Sequence, residues 1–398
     1  MKRFYERAQE LQPELERVRR QIHRFGGVGF DVRESAELIK AELRAMGLEP
    51  REICECGIVA EIGAGAPVFL LRADFDALPM EEQTGLPYAA QNGTCHACGH
   101  DFHAAMLLGA ARLLKERESE LGGTVKLMFQ PAEETTVGAA TMVDAGVLEN
   151  PRVDAAFAIH IAAGLEHTRS GQVRYSRGAM YSAAEGFAVT VHGRGSHGAL
   201  PHEAVDPISI LARIVLNTQH ILAYERPADE MLVISFGTLS AGTVGNVVPD
   251  SATARGSIRV FSPQVRELAL RRFREIAEKT AETFDARAEV RYTPRKYPID
   301  PVINNAALAR ELLPYIADAA GAENVLLSDR PEASGSEAFC CLSTRVPSVI
   351  VMLDAGSVSE GYTYPQHNPR VTFDERALPL GAAVHACAAF GWLDRRKK

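Results

Sequence analysis

The sequence predicts an α/β fold: a mostly parallel sheet, interrupted by an inserted ferredoxin-like βαββαβ unit. Three observations predict it. Short β-prone, largely apolar runs at Val68–Leu71, Val125–Phe129, Ala155–Ile159 and Ser348–Leu353, the first of them continuously apolar, each lead into acidic or imidazole residues. Strands buried on both faces read this way, with polar groups gathered beyond their carboxyl ends. Helix-period segments lie between the runs, an alternation that gives parallel sheets. From about Ser182 to Pro294 the order changes to strand, helix, strand, strand, helix, strand, the split ferredoxin-like unit.

Taken in order, an amphipathic helix runs to about Arg24, then Gly26-Gly27-Val28-Gly29, then a helix from about Ser35 to Met46 with Gly47 as its C-cap. Strands follow at Ile58–Ile62 and Val68–Leu71, the second leading into Arg72-Ala73-Asp74-Phe75-Asp76. Val125–Phe129 leads into Gln130-Pro131-Ala132-Glu133-Glu134, Ala155–Ile159 into His160, and Ser348–Leu353 into Asp354. The inserted unit reads as strand Phe187–Val191, helix Pro207–Tyr224, strands Met231–Gly237 and Ala252–Phe261, helix Pro263–Phe284 and strand Ala288–Tyr292. Residues 182–294 then form one domain, and 1–181 with 295–398 the other.

Composition narrows the function classes. A chain of 398 residues exceeds one ordinary core and fits two or three domains. A net charge of -8 gives no electrostatic case for nucleic acid or an anionic membrane as partner. Seven cysteines, an odd number, argue against a disulfide framework and for a reducing compartment. The N-terminal stretch is charged and helical, unlike a signal peptide, and no window reaches the ~18 consecutive apolar residues of a membrane span. A soluble cytoplasmic protein is expected.

The stretch Cys95-His96-Ala97-Cys98-Gly99-His100-Asp101-Phe102-His103 places two thiols, three imidazoles and a carboxylate directly before an apolar-periodic helix. Such density points to a divalent transition metal. In one reading Cys95, Cys98, His100 and His103 close a structural knuckle. In the other, Cys98 and His100 are joined by distant donors: one of Glu133 and Glu134, His160, and His367 in Tyr364-Pro365-Gln366-His367-Asn368-Pro369. Thiolate, imidazole and carboxylate from four segments suit two adjacent ions with open positions better than one closed site. One glutamate of the pair can bind metal while the other serves as general base.

Six motifs in order carry a family resemblance: Arg72-Ala73-Asp74-Phe75-Asp76-Ala77-Leu78-Pro79, Cys98-Gly99-His100-Asp101, Gln130-Pro131-Ala132-Glu133-Glu134, Gly193-Arg194-Gly195-Ser196-His197 with Pro201-His202, Asn246-Val247-Val248-Pro249-Asp250, and His367-Asn368-Pro369. Together they resemble the metal-dependent N-acyl-amino-acid amidohydrolases, the branch of the aminoacylase and carboxypeptidase metallopeptidases that holds hippurate hydrolase and the plant auxin-conjugate hydrolases. The resemblance implies Cys98, His100, Glu134, His160 and His367 as ligands of two divalent ions (zinc, manganese, cobalt or nickel), with Glu133 as base. It implies that the inserted unit is a lid and dimerisation domain, making a homodimer, and that its His197 reaches an active site, commonly the partner subunit's. Asn246, with Arg259 and His202, would then hold a small N-acyl amino acid, and Asp76 would orient a histidine ligand. Arg24-Phe25-Gly26-Gly27 and Ala162-Ala163 depart from the family pattern without removing a ligand or the base. A dipeptidase or carboxypeptidase on the same scaffold, and a metal-stabilised binding protein without turnover, are the alternatives.

Overall fold

A computed structural model describes residues 2–328, 331 and 335–397. The chain divides into two compact units, the first holding the chain up to Met180 and most of it from Ile303 onward, the second Tyr181–Val302.

The first unit is built on eight strands: β1 (Arg51–Cys54), β2 (Gly57–Gly63), β3 (Val68–Asp74), β4 (Thr124–Gln130), β5 (Ala155–Ala162), β6 (Val173–Ser176), β7 (Val325–Ser328) and β8 (Ser348–Asp354). Their spatial order is β1-β2-β4-β3-β5-β8-β6-β7. The central pairs β4-β3, β3-β5 and β5-β8 are parallel, as is β6-β7; β1-β2, β2-β4 and β8-β6 are antiparallel. Every residue of β3, β4, β5 and β8 is buried, which is why these strands are mostly apolar without alternation; Arg72, Asp74, Lys126 and Gln130 are among the buried charged or amide exceptions.

Helices α1 (Lys2–Glu10), α2 (Gln12–Phe25), α3 (Arg33–Ala45), α4 (His100–Lys115) and α5 (Leu378–Asp394) pack in this unit. The opening helix breaks near Leu11, because Pro13 fits the first turn of a new helix, where no amide bond is lost, but not the interior of a continuing one. The stretch Glu375–Asp394 is long and apolar enough to cross a membrane, yet 94% of the apolar 18-residue window within it is buried inside the unit. A helix apolar all round needs such a surrounding, and here a protein core supplies it. Close crossing of α4 and α5 depends on missing side chains: a Cβ on Gly109 would lie 2.8 Å from the Ala382 Cβ, and one on Gly381 1.9 Å from Met106 Sδ.

The second unit has a four-stranded antiparallel sheet in the order Leu232–Ala241, Ser251–Val260, Ala183–His192, Arg287–Tyr292. Its first strand in sequence is therefore an inner one, as in ferredoxin-like units. Burial alternates along Ala183–His192, and the inward Phe187, Val189 and Val191 share a core with Ile210, Leu211 and Ile214 of helix Pro207–His220 and Val265, Ala269 and Phe273 of helix Pro263–Glu282. Asp206 and Ser262 cap these helices through side-chain oxygens that accept backbone N–H groups. A two-stranded ribbon, Ser196–His197 with Val247–Val248, was not legible in the sequence.

Candidate metal centre

The parallel strands β3, β4 and β5 end at one edge of the sheet, where the polar residues that follow them converge. His160 lies on β5 opposite Met352, within the strand rather than beyond its end. Helix α4 starts at His100 behind Gly99, whose φ is 86° and whose added Cβ would stand 2.4 Å from Ile161 Cδ1. Only glycine turns there without strain, and the turn buries both Cys98 and His100. His367 is itself left-handed at φ 64°. Its N–H donates to Ala97 O (2.9 Å), and Gln366 Nε2 donates to Cys98 O (3.0 Å), so its loop is tied to the cysteine stretch.

Among the described residues, donor atoms lie within 4.8 Å of one another in four sets: Cys98, His100 and His160; Cys98, Glu134 and His367; His100, Glu133 and Glu134; and Asp74, His100 and His103. The first two sets share the Cys98 thiol, and between them they contain every ligand expected from the sequence. Second contacts orient each ring. His100 Nδ1 faces Asp76 O at 3.0 Å, and His160 Nδ1 faces Ile161 O at 2.7 Å. Donation to these carbonyls directs Nε2 of each ring at the centre. Asp76 also accepts the backbone N–H of Glu133 (3.0 Å) and Glu134 (3.1 Å) on its carboxylate, so one residue aligns a histidine through its carbonyl and both glutamates through its side chain.

His100 Nε2 and Glu134 Oε1 are buried without a hydrogen-bond partner and stand 3.9 Å apart; His367 Nε2 is 3.8 Å from the same oxygen. Leaving such groups unpaired costs about 1–3 kcal/mol each. Ligand distances of about 2.0–2.3 Å to a shared cation give separations of this size, so the donor set fits divalent metal.

The fourth set does not compete. His103 Nδ1 bonds Asp74 Oδ1 (2.5 Å) and its Nε2 accepts the Ile161 N–H (2.9 Å), so both ring nitrogens are engaged. Cys95 joins none of the sets, and its backbone pairs with Leu78. The closed knuckle of Cys95, Cys98, His100 and His103 is therefore not what the fold assembles.

Burial dominates the electrostatics. It raises the Cys98 thiol against His100, and raises the Glu134 carboxyl against His100 and His367. Burial and then the nearby Glu337 hold Glu133 well above the usual carboxylate range. Burial, reinforced by His103, pushes His160 well below its ordinary value. At His100 burial acts downward, but Asp74 outweighs it and the imidazole is held well above its ordinary value. A dication held by these residues would offset their desolvation by favouring thiolate, carboxylate and neutral imidazole.

His197, His202, Asn246 and Arg259 belong to the second unit. The ribbon brings His197 and Asn246 together: Val247 pairs with His197, and the Gly198 N–H donates to Asn246 O at 2.8 Å. His197 Nδ1 accepts the Ala199 N–H (3.0 Å), while His202 is exposed in the 3-10 turn Pro201–Glu203. Arg259 is not grouped with them; it lies near the far end of Ser251–Val260, roughly 27 Å of extended chain from where that strand begins. Sequence reasoning missed Arg72, Glu337 and the pairing of Asp74 with His103. The signal available was charge at alternate positions, Arg72, Asp74 and Asp76, in and just after an otherwise apolar strand.

A model of peptidase family M20/M25/M40 matches residues 70–390. The IAA-amino acid hydrolase ILR1-like 2 of Arabidopsis thaliana is 34% identical over 386 residues, covering 96% of this chain and 85% of its own length. Thermostable carboxypeptidase 1 of Saccharolobus solfataricus is 33% identical over 387 residues, covering 96% and 95%. The Bacillus subtilis YXEP protein, described as a dinuclear metal binding peptidase from the M20 family, superposes with a TM-score of 0.81 at 30% identity, covering 97% of this chain and 99% of its own.

Proposed function

The chain belongs to peptidase family M20/M25/M40 and is a metal-dependent amidohydrolase; on that premise we propose that it hydrolyses the amide bond of small N-acyl amino acids, releasing a carboxylate and a free amino acid. The observation that carries this reading is the pair of three-donor sets sharing Cys98, with Glu133 beside them and held separately. Cys98, His100, His160, Glu134 and His367 would hold two divalent ions; zinc, manganese, cobalt and nickel all suit thiolate, imidazole and carboxylate together. When bound, such ions supply Lewis acidity that polarises an amide carbonyl and acidifies water.

The chain's own residues do the rest. Glu133, buried and with one carboxylate oxygen bonded to the Ala338 N–H at 2.9 Å, accepts the proton of the attacking water and returns it to the departing amine. Asp76 keeps His100 and both glutamates aligned. His197 donates to the oxyanion and Asn246 holds the substrate, in a homodimer formed through the second unit. Support for an acyl amino acid as substrate comes from the relative named for IAA-amino acid hydrolysis; the carboxypeptidase at similar identity favours a second reading, cleavage of peptides at a free carboxyl end.

Amine release from acetyl, benzoyl and indoleacetyl amino acids, run beside unacylated dipeptides and longer peptides, separates the two. Turnover of the acyl amino acids with little on peptides is expected. Preference for peptides would replace the substrate assignment while leaving the centre intact.

A further inference from the structure

Beneath the centre lies a buried charged cluster that the mechanism does not use. Arg72, Asp74 and Glu337 are each 1% exposed or less. Arg72 Nη1 pairs with Asp74 Oδ2 (2.8 Å), Nη2 with Glu337 Oε1 (2.8 Å), and Nε donates to Gln130 Oε1 (2.8 Å). Buried ion clusters of this kind seldom add stability over apolar packing, because desolvation offsets the attraction. Their geometry, however, is directional, and here it ends on the base. Glu337 Oε1 also accepts the Phe339 N–H (2.9 Å), closing a turn around Ala338, and the Ala338 N–H donates to Glu133 Oε1.

We infer that Glu337 is a positioning residue: anchored by Arg72, it fixes the Ala338 amide that holds the Glu133 carboxylate in its reactive orientation. Asp76 fixes the backbone of Glu133 from the other side, so backbone and carboxylate are held independently. The same cation reaches the strand that carries His160, since Asp74 bonds His103, which accepts the Ile161 N–H. Arg72 thus aligns base and ligand strand from one point. A base displaced by about 1 Å loses on the order of a hundredfold in rate, whereas substrate affinity and metal retention do not depend on this turn.

This role rests on Glu133 acting as the base, so both are tested together. Wild type, Glu133→Gln, Glu337→Gln and Ala338→Pro are compared for metal content, thermal stability, KM and kcat on the preferred substrate. Glu337→Gln weakens the anchor, and Ala338→Pro removes the donor without altering charge. Expected are wild-type metal content and a KM within about twofold for both clamp variants, with kcat lower by about tenfold to a hundredfold. Folded, metal-replete Glu337→Gln with wild-type kcat overturns the role, as does a loss confined to KM or to metal content. Where Glu337→Gln does not fold, Ala338→Pro decides by the same criteria. An inactive wild type or a fully active Glu133→Gln instead overturns the base assignment and takes this role with it; those two proteins carry an intact Glu337, which keeps the failures distinct.

Discussion

At Gly99 two constraints coincide, a left-handed backbone and an Ile161 side chain standing where a Cβ would go. Gly99→Ala is expected to cost about 1–2 kcal/mol from the backbone alone. It should also weaken metal binding, because Cys98 and His100 flank the turn. Thermal denaturation and equilibrium dialysis check this; an alanine variant with unchanged melting and metal content would show that the turn tolerates a side chain. The donor residues themselves were legible in the sequence. Cys98 and His100 lie in a stretch too rich in ligands to be ordinary, and Glu133 and Glu134 end an apolar strand. Arg72 and Glu337 were not, since their contact spans 265 positions and neither belongs to a ligand motif. His103, a ligand only in the closed-knuckle reading, has both ring nitrogens engaged by Asp74 and the Ile161 N–H.

Between elements, α2 meets α4 through apolar packing of Leu15, Val18 and Ile22 and through a buried charge cluster. His23 Nδ1 lies 2.8 Å from Asp101 Oδ2 and its Nε2 3.0 Å from Glu82 Oε2, while Arg19 Nε reaches the same Asp101 oxygen at 2.6 Å. Both ring nitrogens face carboxylates, an arrangement that favours the protonated imidazole. Burial acts downward and Arg19 opposes, but Asp101 and Glu82 outweigh them and raise His23 above its ordinary value. A raised folded value means a contribution fully present below the unfolded pKa of about 6.5 and lost as pH rises through the folded one. The melting-temperature gap between wild type and His23→Gln should therefore be largest below about pH 6 and narrow as pH rises; a gap independent of pH would contradict it. At this scale the sequence showed the central strands, which are buried throughout, but not β6 or β7. Those are four residues long with mixed burial, too short to carry a period. Pro13 signals the break between α1 and α2, but amphipathicity continues on both sides and makes the stretch read as one helix.

For the whole molecule, the insertion was visible as a change of pattern, from buried runs ending in polar residues to the βαββαβ order. The strand order within each sheet was not, because register and neighbour choice depend on pairings that no single segment encodes. The second unit has a core of its own, formed by its sheet and two helices. Tyr181–Val302 expressed alone should therefore fold cooperatively, with circular dichroism of a mixed α/β protein; a disordered spectrum would show that its core needs the rest of the chain. The central claim is that the first unit hydrolyses an amide with Glu133 as base beside a metal centre built on Cys98. Its most direct test measures amine release and bound metal on the same preparations of wild type, Glu133→Gln and Cys98→Ser. Glu133→Gln should keep its metal and lose about a hundredfold to ten-thousandfold in kcat, while Cys98→Ser loses metal and activity together. Equal turnover in Glu133→Gln, or no turnover by wild type loaded with zinc, manganese, cobalt or nickel, would contradict it.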